Sequence, residues 1–328
     1  TNTPHLAQVN SQWVISRTLP SSAPLMFSSE KQPLHDKSDS HCYNANWIKN
    51  SIQVNFNQQG EFAVGLSPNL HAATCALHAA NIAKKTAKNC AAIYLSNSNP
   101  SQIVTMDAKQ KIELFFAFPQ LPNTGYEIVH QIEQSPQQSL LDKFKAKYPE
   151  DYLALLELKL SAPTNNLQSL WAIAAVLLGG ATQGKTAPLS KSTLNDFVIA
   201  TAMRHKGANA PRIDFPLTKG EAHRSLNWCK TLGSVLSFRL AEEENIEKLA
   251  FGMHDSFADY LCNWIEHLDQ NISIKSVLLS GSSFNNELLG KRVSLRLGKN
   301  FELTSNQMMD LDGVNIAVGA LFLKQRRH

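Results

Sequence analysis

The sequence predicts a two-lobed α/β protein, and two segments of the chain carry this prediction. In the N-terminal half, three short apolar runs separated by turn-forming residues indicate an antiparallel meander of strands. In the C-terminal third, a long amphipathic helix precedes a strand, a glycine-containing turn, a helix, a second strand and a last helix. Strands and helices that alternate after a meander are typical of a sheet covered by helices.

The N-terminal part of the chain changes character at about residue 50. Residues 1–50 are rich in Ser, Pro, Asn and His, and we expect an irregular arm that packs on the body. A predicted strand at 61–66 and a predicted Ala-rich helix at 71–85 follow. The meander occupies 90–95, 102–107 and 111–118, with turn-forming residues at both joins.

Helical periodicity dominates most of the remaining chain. Residues 139 to about 207 predict helices, most clearly at 166–178 and 193–205. From 246 to 268, large apolar side chains recur on one helix face. The last predicted elements are a strand at 274–279, a helix with Leu288, Leu289 and Val293, a strand at 301–304, and a helix from about Gly313.

This order of elements predicts a sugar kinase–actin–Hsp70-like fold, which is a duplicated ribonuclease H-like fold. A strand meander followed later by a strand–helix–strand–helix unit is the arrangement that such a fold requires. We place the irregular arm at 1–50, the first lobe at 51–160 and the second lobe at 161–328.

Composition excludes several classes of protein. With 43% hydrophobic and 18% charged residues among 328, the chain can bury a core and does not have the composition of a disordered protein. The net charge of +4 is spread along the chain, and the only basic run is at 324–328, which argues against a nucleic-acid partner. No apolar run reaches the roughly 18 residues of a membrane span, so we expect no membrane partner.

Cysteine usage indicates a reducing compartment. The five cysteines are odd in number and no pair has Cys-x-x-Cys spacing, which argues against a disulfide framework and a zinc knuckle. No secretory signal is visible, and we expect a cytoplasmic protein. The chain opens on Thr1 rather than Met, so we expect a piece of a longer or processed protein.

The turn after the strand at 274–279 is the most informative short segment. Ser280, Gly281, Ser282 and Ser283 join a buried strand to a helix. Such a turn lets backbone N–H groups approach a phosphate or a ribose, and a helix N-terminus favours negative charge. The alternative is a tight connection without a ligand, in which Ser280 or Ser282 caps the helix.

The same turn resembles the C-terminal carbamoyltransferase region of HypF hydrogenase maturation factors. Residues 279–286 have the sequence Leu-Ser-Gly-Ser-Ser-Phe-Asn-Asn, and the family pattern is Leu-Ser-Gly-Gly-(Val/Thr)-Phe-Gln-Asn. Further segments resemble family motifs in the family's order: 116–122, 160–179, 253–258 and 312–319. The tRNA threonylcarbamoyl-transfer enzyme TsaD shares the fold and part of the pattern.

The resemblance implies a nucleotide site for ATP. The nucleotide-binding residues it implies are Ser280, Gly281, Ser282, Ser283, Asn285, Asn286, Asp312 and Gly313. His254 lies in a family-like helix and could face that site or make contacts within the helix. Lys191 could reach a phosphate or be solvated.

The resemblance also implies a Zn or Fe site, where the sequence departs from the family. Family members bind the metal through two histidines one helical turn apart and an aspartate near the Asp-Gly motif. His71 and Asp312 match this set. The earlier family histidines fall on residues 67–69, which are Ser, Pro and Asn.

A second departure falls in the first hairpin of the meander. Ser96 and Asn97 replace an Asp that binds metal or orients phosphates in the family, and a Gly that admits the nucleotide. A hydroxyl cannot replace a carboxylate at a metal or phosphate site without a large loss of affinity.

Three functions remain open on the sequence. The first is ATP-linked carbamoyl transfer through a carbamoyl-adenylate in [NiFe] hydrogenase maturation, with the C-terminal Cys of a HypE-like partner as acceptor. The second is a catalytically inactive protein that keeps the fold as a nucleotide-sensing or protein-docking module, which the lost His pair and hairpin Asp favour. The third is a TsaD-like component of tRNA threonylcarbamoylation.

Overall fold

The fold is built on a five-stranded mixed sheet, which confirms the predicted α/β class. The computed structural model describes residues 88–305 and 311, except 98, 110, 183–189, 208, 221–223 and 242–244, and before residue 88 the backbone of four strands. The strands are β1 (His5–Val9), β2 (Gln12–Ser16), β3 (Cys42–Ile48), β4 (Ser51–Asn57), β5 (Cys90–Tyr94), β6 (Gln102–Met106), β7 (Ile112–Ala117), β8 (Leu217–Thr218), β9 (Ser225–Leu226), β10 (Ser276–Ser280) and β11 (Glu302–Ser305).

The central sheet has the strand order β11-β10-β5-β6-β7. The predicted meander is confirmed as the antiparallel strands β5, β6 and β7, and both β10 and β11 run parallel to β5. This is the order of a ribonuclease H-like unit, in agreement with the predicted sugar kinase–actin–Hsp70-like fold. Ser280 at the end of β10 pairs with Tyr94 at the end of β5. The turn after β10 and the hairpin after β5 therefore meet at one edge of the sheet.

The sheet takes strands from both sides of residue 160, where the sequence places the boundary between the lobes. The meander belongs to the predicted first lobe, and β10 and β11 belong to the predicted second lobe. Parallel strands need a long crossover connection, and the helices between β7 and β10 supply one for β10. The division into lobes stays a prediction.

The N-terminal strands form a separate antiparallel sheet in the order β1-β2-β4-β3. Three of these strands fall within residues 1–50, where the sequence predicts an irregular arm. Runs such as Trp13-Val14-Ile15 consist of aromatic and β-branched residues, which favour strands despite the surrounding Ser and Pro. The predicted strand at 61–66 and the predicted helices at 71–85 and from Gly313 lie outside the described residues.

Helices fill most of the chain between β7 and β10. The helices in the described part of the chain are α1 (Gly125–Glu133), α2 (Gln138–Lys147), α3 (Pro149–Glu157), α4 (Leu167–Leu177), α5 (Lys191–Arg204), α6 (Trp228–Ala241), α7 (Ile246–Ile272) and α8 (Glu287–Leu297). The helices predicted at 166–178, 193–205 and 246–268 are confirmed as α4, α5 and α7. The sequence does not predict α6, because Gly233 lowers its helix propensity and packing overrides this preference.

The core surrounds α4, every residue of which is buried. A helix that is apolar on all sides needs partners on all sides, and α4 packs against α3, α5 and α6. Aromatic rings continue the core from α4 to the sheet. Trp171 of α4 contacts Phe257 of α7 edge to face, and Trp264 of α7 stacks on Phe116 of β7 with ring centroids 5.1 Å apart. These contacts fix α4 and α7 relative to the sheet.

A cluster of ion pairs joins α7 to α8. Arg292 Nε lies 2.5 Å from Asp255 Oδ1, and Arg296 Nη2 lies 2.7 Å from the same oxygen. Burial alone would raise the pKa of Asp255, but the hydrogen bonds and positive charges of Arg292 and Arg296 outweigh burial and hold its pKa below the usual range. The pairs fix α8, and with it the turn that precedes α8.

Within the described ranges, no helix combines the length and the apolar character that a membrane span requires. The longest of them, α7, carries charged side chains that include Asp255 and Asp259.

We predict that Asp255→Asn lowers the free energy of unfolding at pH 7 by about 1–3 kcal/mol, because two charge-assisted hydrogen bonds lose the carboxylate. A carboxyl group with a lowered folded-state pKa contributes stability above its unfolded pKa, and this contribution disappears as the pH falls through the folded pKa. The difference between the variant and the original chain should therefore shrink in urea unfolding below about pH 4.

The matched control is Glu113→Gln, which removes an exposed ion pair with Lys111. This change should cost no more than about 0.5 kcal/mol at any pH. An equal loss in both variants would contradict the role assigned to Asp255.

Candidate functional site

Gly281 makes the sharp turn at the end of β10. Its φ of 96° lies in a region that L side chains rarely adopt. A Cβ atom at this position would collide with the carbonyl group of Leu95. The Gly281 N–H donates a hydrogen bond of 2.8 Å to the carbonyl oxygen of Leu311. Both the backbone conformation and the lack of space therefore require glycine here.

Asn97 joins the hairpin after β5 to this turn. Its backbone N–H donates to Ser282 Oγ at 2.9 Å, and Ser283 Oγ donates to Asn97 Oδ1 at 2.7 Å. Asn166, which caps α4, donates from Nδ2 to the Asn97 carbonyl oxygen at 3.3 Å. The hairpin, the turn and the start of α4 are thus held together through one residue.

The start of α8 is capped by its own residues. Asn286 Oδ1 accepts hydrogen bonds from the backbone N–H groups of Leu288 at 3.1 Å and Leu289 at 3.3 Å. Glu287 places a carboxylate in the first turn. An N-cap side chain and an acidic first turn satisfy the free N–H groups and the positive end of the helix dipole. Both features that usually attract an anion to a helix N-terminus are therefore already occupied.

A cleft with a volume of about 330 Å³ lies beside the turn. Helices α4, α5 and α8, the hairpin and the turn all contribute to its walls. The lining residues are Asn97, Leu167, Trp171, Asn195, Asp196, Ile199, Met203, Ser282, Ser283, Asn285, Asn286, Glu287 and Leu289. The cleft lies next to the carboxyl ends of the parallel strands β5 and β10, the edge at which ligands bind in many α/β proteins.

The cleft is acidic and rich in carboxamides. Asp196 and Glu287 supply carboxylates, and none of the lining residues in the described part of the chain is Lys or Arg. Asn195 lines the cleft as well and is only 5% exposed. A carboxamide has both a hydrogen-bond donor and an acceptor, so Asn195 can contact a polar ligand in the cleft.

The structure brings together only some of the residues that the sequence assigns to a nucleotide site. Ser282, Ser283, Asn285 and Asn286 line the cleft. Ser280 does not line it, because it is buried in the sheet and its hydroxyl donates to the carbonyl oxygen of Ile93 at 3.3 Å. Gly281 makes the turn and is not among the lining residues, and Asp312 and Gly313 lie outside the described residues, as does His71 of the predicted metal site.

His254 belongs to the core and not to the cleft. It is fully buried, and its Nδ1–H donates to the carbonyl oxygen of Ala250 at 2.8 Å. Burial lowers the pKa of His254 to about 4, although the bond to Ala250 opposes this effect, so the ring is neutral at pH 7. Its ring packs against Trp171 with centroids 5.4 Å apart.

Lys191 is neither solvated nor directed at the cleft. Its side chain is buried, and Nζ donates to the carbonyl oxygens of Ser161 at 3.1 Å and Pro163 at 2.9 Å. These contacts anchor the start of α5 to the segment that precedes α4. Lys191 therefore holds two sides of the cleft together without a phosphate contact.

The described residues contain no group of three or more His, Cys, Asp or Glu side chains that could hold a metal ion. Because His71 and Asp312 lie outside these residues, the Zn or Fe site stays a prediction. The described cysteines, Cys90, Cys229 and Cys262, form no disulfide with one another. Burial raises the pKa of Cys229 and of Cys262 to about 11, so neither is a ready thiolate ligand.

Sequence reasoning missed the wall that α5 contributes. Asn195, Ile199 and Met203 recur at intervals of four residues, the spacing of one helix face. This face mixes a carboxamide with apolar side chains, and Met203 is 54% exposed. In the sequence, only the four-residue spacing of Asn195, Ile199 and Met203 indicated that these side chains share a face.

Comparison with known proteins gives the same resemblance as the sequence motifs. Residues 198–320 match the model of the Kae1-like domain of carbamoyltransferases, second subdomain. This chain resembles the C-terminal region of HypF. The HypF-like match falls within the predicted second lobe and includes α7, β10, the turn and α8.

Two solved HypF structures have the same fold as this HypF-like chain. Full-length HypF in the phosphate- and nucleotide-bound form gives a TM-score of 0.58 at 13% identity, over 78% of this chain and 35% of that protein. HypF of T. kodakarensis gives a TM-score of 0.52 at 12% identity, over 78% of this chain and 36% of that protein.

The chain is also similar in sequence to one known protein over more than half of its length. Protein HydE of Wolinella succinogenes is 27% identical over 229 residues, which cover 68% of this chain and 40% of HydE. The HypF-like chain thus spans less than half of the length of each of these relatives.

We predict that Gly281→Ala lowers the free energy of unfolding by about 2–4 kcal/mol, because the backbone must change its conformation and the Leu95 carbonyl must move. The control is Gly290→Ala, in the middle of α8. There a Cβ would lie 3.4 Å from the Phe284 carbonyl oxygen. That change should be neutral or stabilise by up to about 1 kcal/mol. Urea unfolding of both variants tests the assignment, and similar losses would contradict it.

Proposed function

We propose that this chain is a HypF-like domain that binds a nucleotide-class ligand as a sensing or docking module and does not transfer a carbamoyl group by itself. The HypF fold and the cleft beside Ser282 support the binding role. The contact between Ser282 and Asn97 supports the loss of transfer. The role belongs to hydrogenase maturation, the process in which the HypF family acts.

The hydrogen bond from the Asn97 N–H to Ser282 Oγ is the observation that carries this proposal. Where the family pattern has a second glycine, this chain has Ser282, and its hydroxyl takes the backbone donor of the hairpin. In a phosphate-binding turn such donors must be free to face the ligand. The serine therefore closes the gap between turn and hairpin that a transferred phosphate or acyl group would need.

The hairpin itself lacks the group that transfer chemistry requires. Ser96 stands where the family has an aspartate, and it is fully buried. Its hydroxyl accepts a hydrogen bond of 2.8 Å from the Asn99 N–H, so it stabilises the hairpin turn. A carboxylate at this position could hold a metal ion or orient phosphates, whereas a buried hydroxyl that is already bonded cannot.

The partner and the location follow from the same proposal. A module of this kind would bind a HypE-like maturation protein. The relatives are more than twice as long as the part that this chain matches, so their other regions could contribute contacts to such a partner. A cytoplasmic location suits Cys90, Cys229 and Cys262, which form no disulfide with one another, because cytosolic thiols stay reduced. The tRNA-modifying alternative has no comparable support, because the cleft is acidic.

Carbamoyl transfer is the second candidate, and the description of the matched family favours it. Carbamoyl transfer would require hydrogen-bond donors directed at the carbamoyl carbonyl oxygen and positive groups that stabilise the phosphates. Within the described residues, the groups nearest to that task are the amides of Asn97, Asn285 and Asn286. Amides can donate to an oxyanion, but they cannot neutralise phosphates as Lys, Arg or a metal ion can.

We predict that the purified chain releases no pyrophosphate from ATP in the presence of carbamoyl phosphate, beyond a heat-denatured sample, with or without a HypE-like partner. Calorimetry on the same sample should still detect binding of a nucleoside or nucleotide. Carbamoyl-dependent release of pyrophosphate, or a carbamoylated cysteine on the partner, would contradict the proposal and establish the second candidate.

Ser282→Gly tests the observation directly. Loss of the hydroxyl frees the Asn97 N–H, and we expect ATP to bind about threefold to tenfold more tightly than to the original chain, the effect of one added hydrogen bond. The matched control is Ser294→Gly, an exposed position on α8 that does not contact the hairpin. Equal ATP affinity in the two variants would mean that Ser282 does not close the site.

A further inference from the structure

We propose that the cleft selects the nucleoside part of its ligand and excludes the phosphate chain, so that it binds a neutral nucleoside more tightly than the corresponding triphosphate. This inference rests on the proposed function, because it specifies the ligand of the same cleft. This preference is the reverse of what an ATP site would show. The charge of the cleft, its backbone N–H groups, its polar side chains and its size support the inference.

Charge is the first argument. Asp196 and Glu287 line the cleft, and none of the other described lining residues offsets their negative charges. ATP carries several negative charges, and carboxylates within a few ångströms repel them more strongly than bulk water would allow. An uncharged ligand does not meet this repulsion.

The backbone donors that usually bind phosphate are the second argument. The Asn97 N–H donates to Ser282 Oγ, and two N–H groups at the start of α8 donate to Asn286 Oδ1. A phosphate would have to displace the side chains of Ser282 and Asn286. The protein would then lose the hydrogen bonds that close the turn. A helix N-terminus attracts an anion only while its N–H groups are free.

The side chains of Asn195 and Asp196 suit a base and a ribose. The Asn195 carboxamide lines the cleft and offers a donor and an acceptor, which matches the edge of a nucleobase. The Asp196 carboxylate is exposed on the same helix, and a carboxylate accepts hydrogen bonds from ribose hydroxyls in dinucleotide-binding folds. Both residues line the cleft, so one ligand can contact both.

The apolar part of the cleft and its size complete the match. Ile199 and Met203 follow Asn195 along α5, and Met203 is largely exposed. A planar base that covered these side chains would remove apolar surface from water. The volume of about 330 Å³ lies at the lower end of the range for small-molecule sites, roughly 300–1,000 Å³. A nucleoside fits such a space better than an extended triphosphate.

The test is calorimetric titration of the full chain with adenosine, AMP, ATP with Mg²⁺, and inorganic tripolyphosphate at low ionic strength. We expect adenosine to bind at least about tenfold more tightly than ATP, and tripolyphosphate not to compete with it.

Asp196→Asn should weaken adenosine binding about tenfold, because the ribose hydroxyls lose a charged acceptor. Glu287→Gln should tighten ATP binding about threefold, because it removes one of the two carboxylates that repel the phosphates.

The matched control is Asp142→Asn, an exposed aspartate on α2 that does not line the cleft, and it should change neither affinity. Tighter binding of ATP than of adenosine, with competition by tripolyphosphate, would overturn the inference and leave the proposed function intact. If none of the four compounds binds, the proposed nucleotide-class role itself fails. An equal loss in Asp196→Asn and Asp142→Asn would also overturn the inference.

Discussion

The hydrogen bond between the Asn97 N–H and the Ser282 hydroxyl is the interaction on which the site depends. It joins a hairpin and a turn that lie 185 residues apart in sequence, at the edge where β5 and β10 end side by side. Ser283 and Asn166 strengthen the junction through the other polar groups of Asn97. Because Asn97 joins its hairpin to two other elements, the turn and the start of α4, we expect a change at any of these contacts to alter the shape of the cleft.

This junction is possible because the fold brings its parts together rigidly. Gly281 lets the chain turn in contact with the Leu95 carbonyl group, where the Cβ atom of any other residue would collide. The ion pairs of Asp255 hold α8 against α7, and the aromatic contacts of Trp264 hold α7 against the sheet. The cleft therefore has a fixed shape, which a small uncharged ligand can use and a bulky charged ligand cannot easily enlarge.

The sequence predicts the elements of this fold better than it predicts the site. The meander, α4, α5 and α7 follow from strong periodicity, and the turn at Ser280–Ser283 follows from its small residues. The role of Asn195 depends on which helix faces the turn, and local pattern carries no information about that packing. Ser280 and His254 illustrate a second limit, because motif position alone does not tell whether a polar side chain points into a cleft or into the core.

The most direct test of the closed junction is amide hydrogen exchange of Asn97, followed by NMR during titration with ATP and Mg²⁺. If the Ser282 hydroxyl holds this N–H, its exchange should be slow in the free chain, and its chemical shift should hardly move when ATP is added. The same signal should become fast-exchanging in Ser282→Gly. Rapid exchange in the original chain, with a large shift on addition of ATP, would show an open phosphate site and contradict the account.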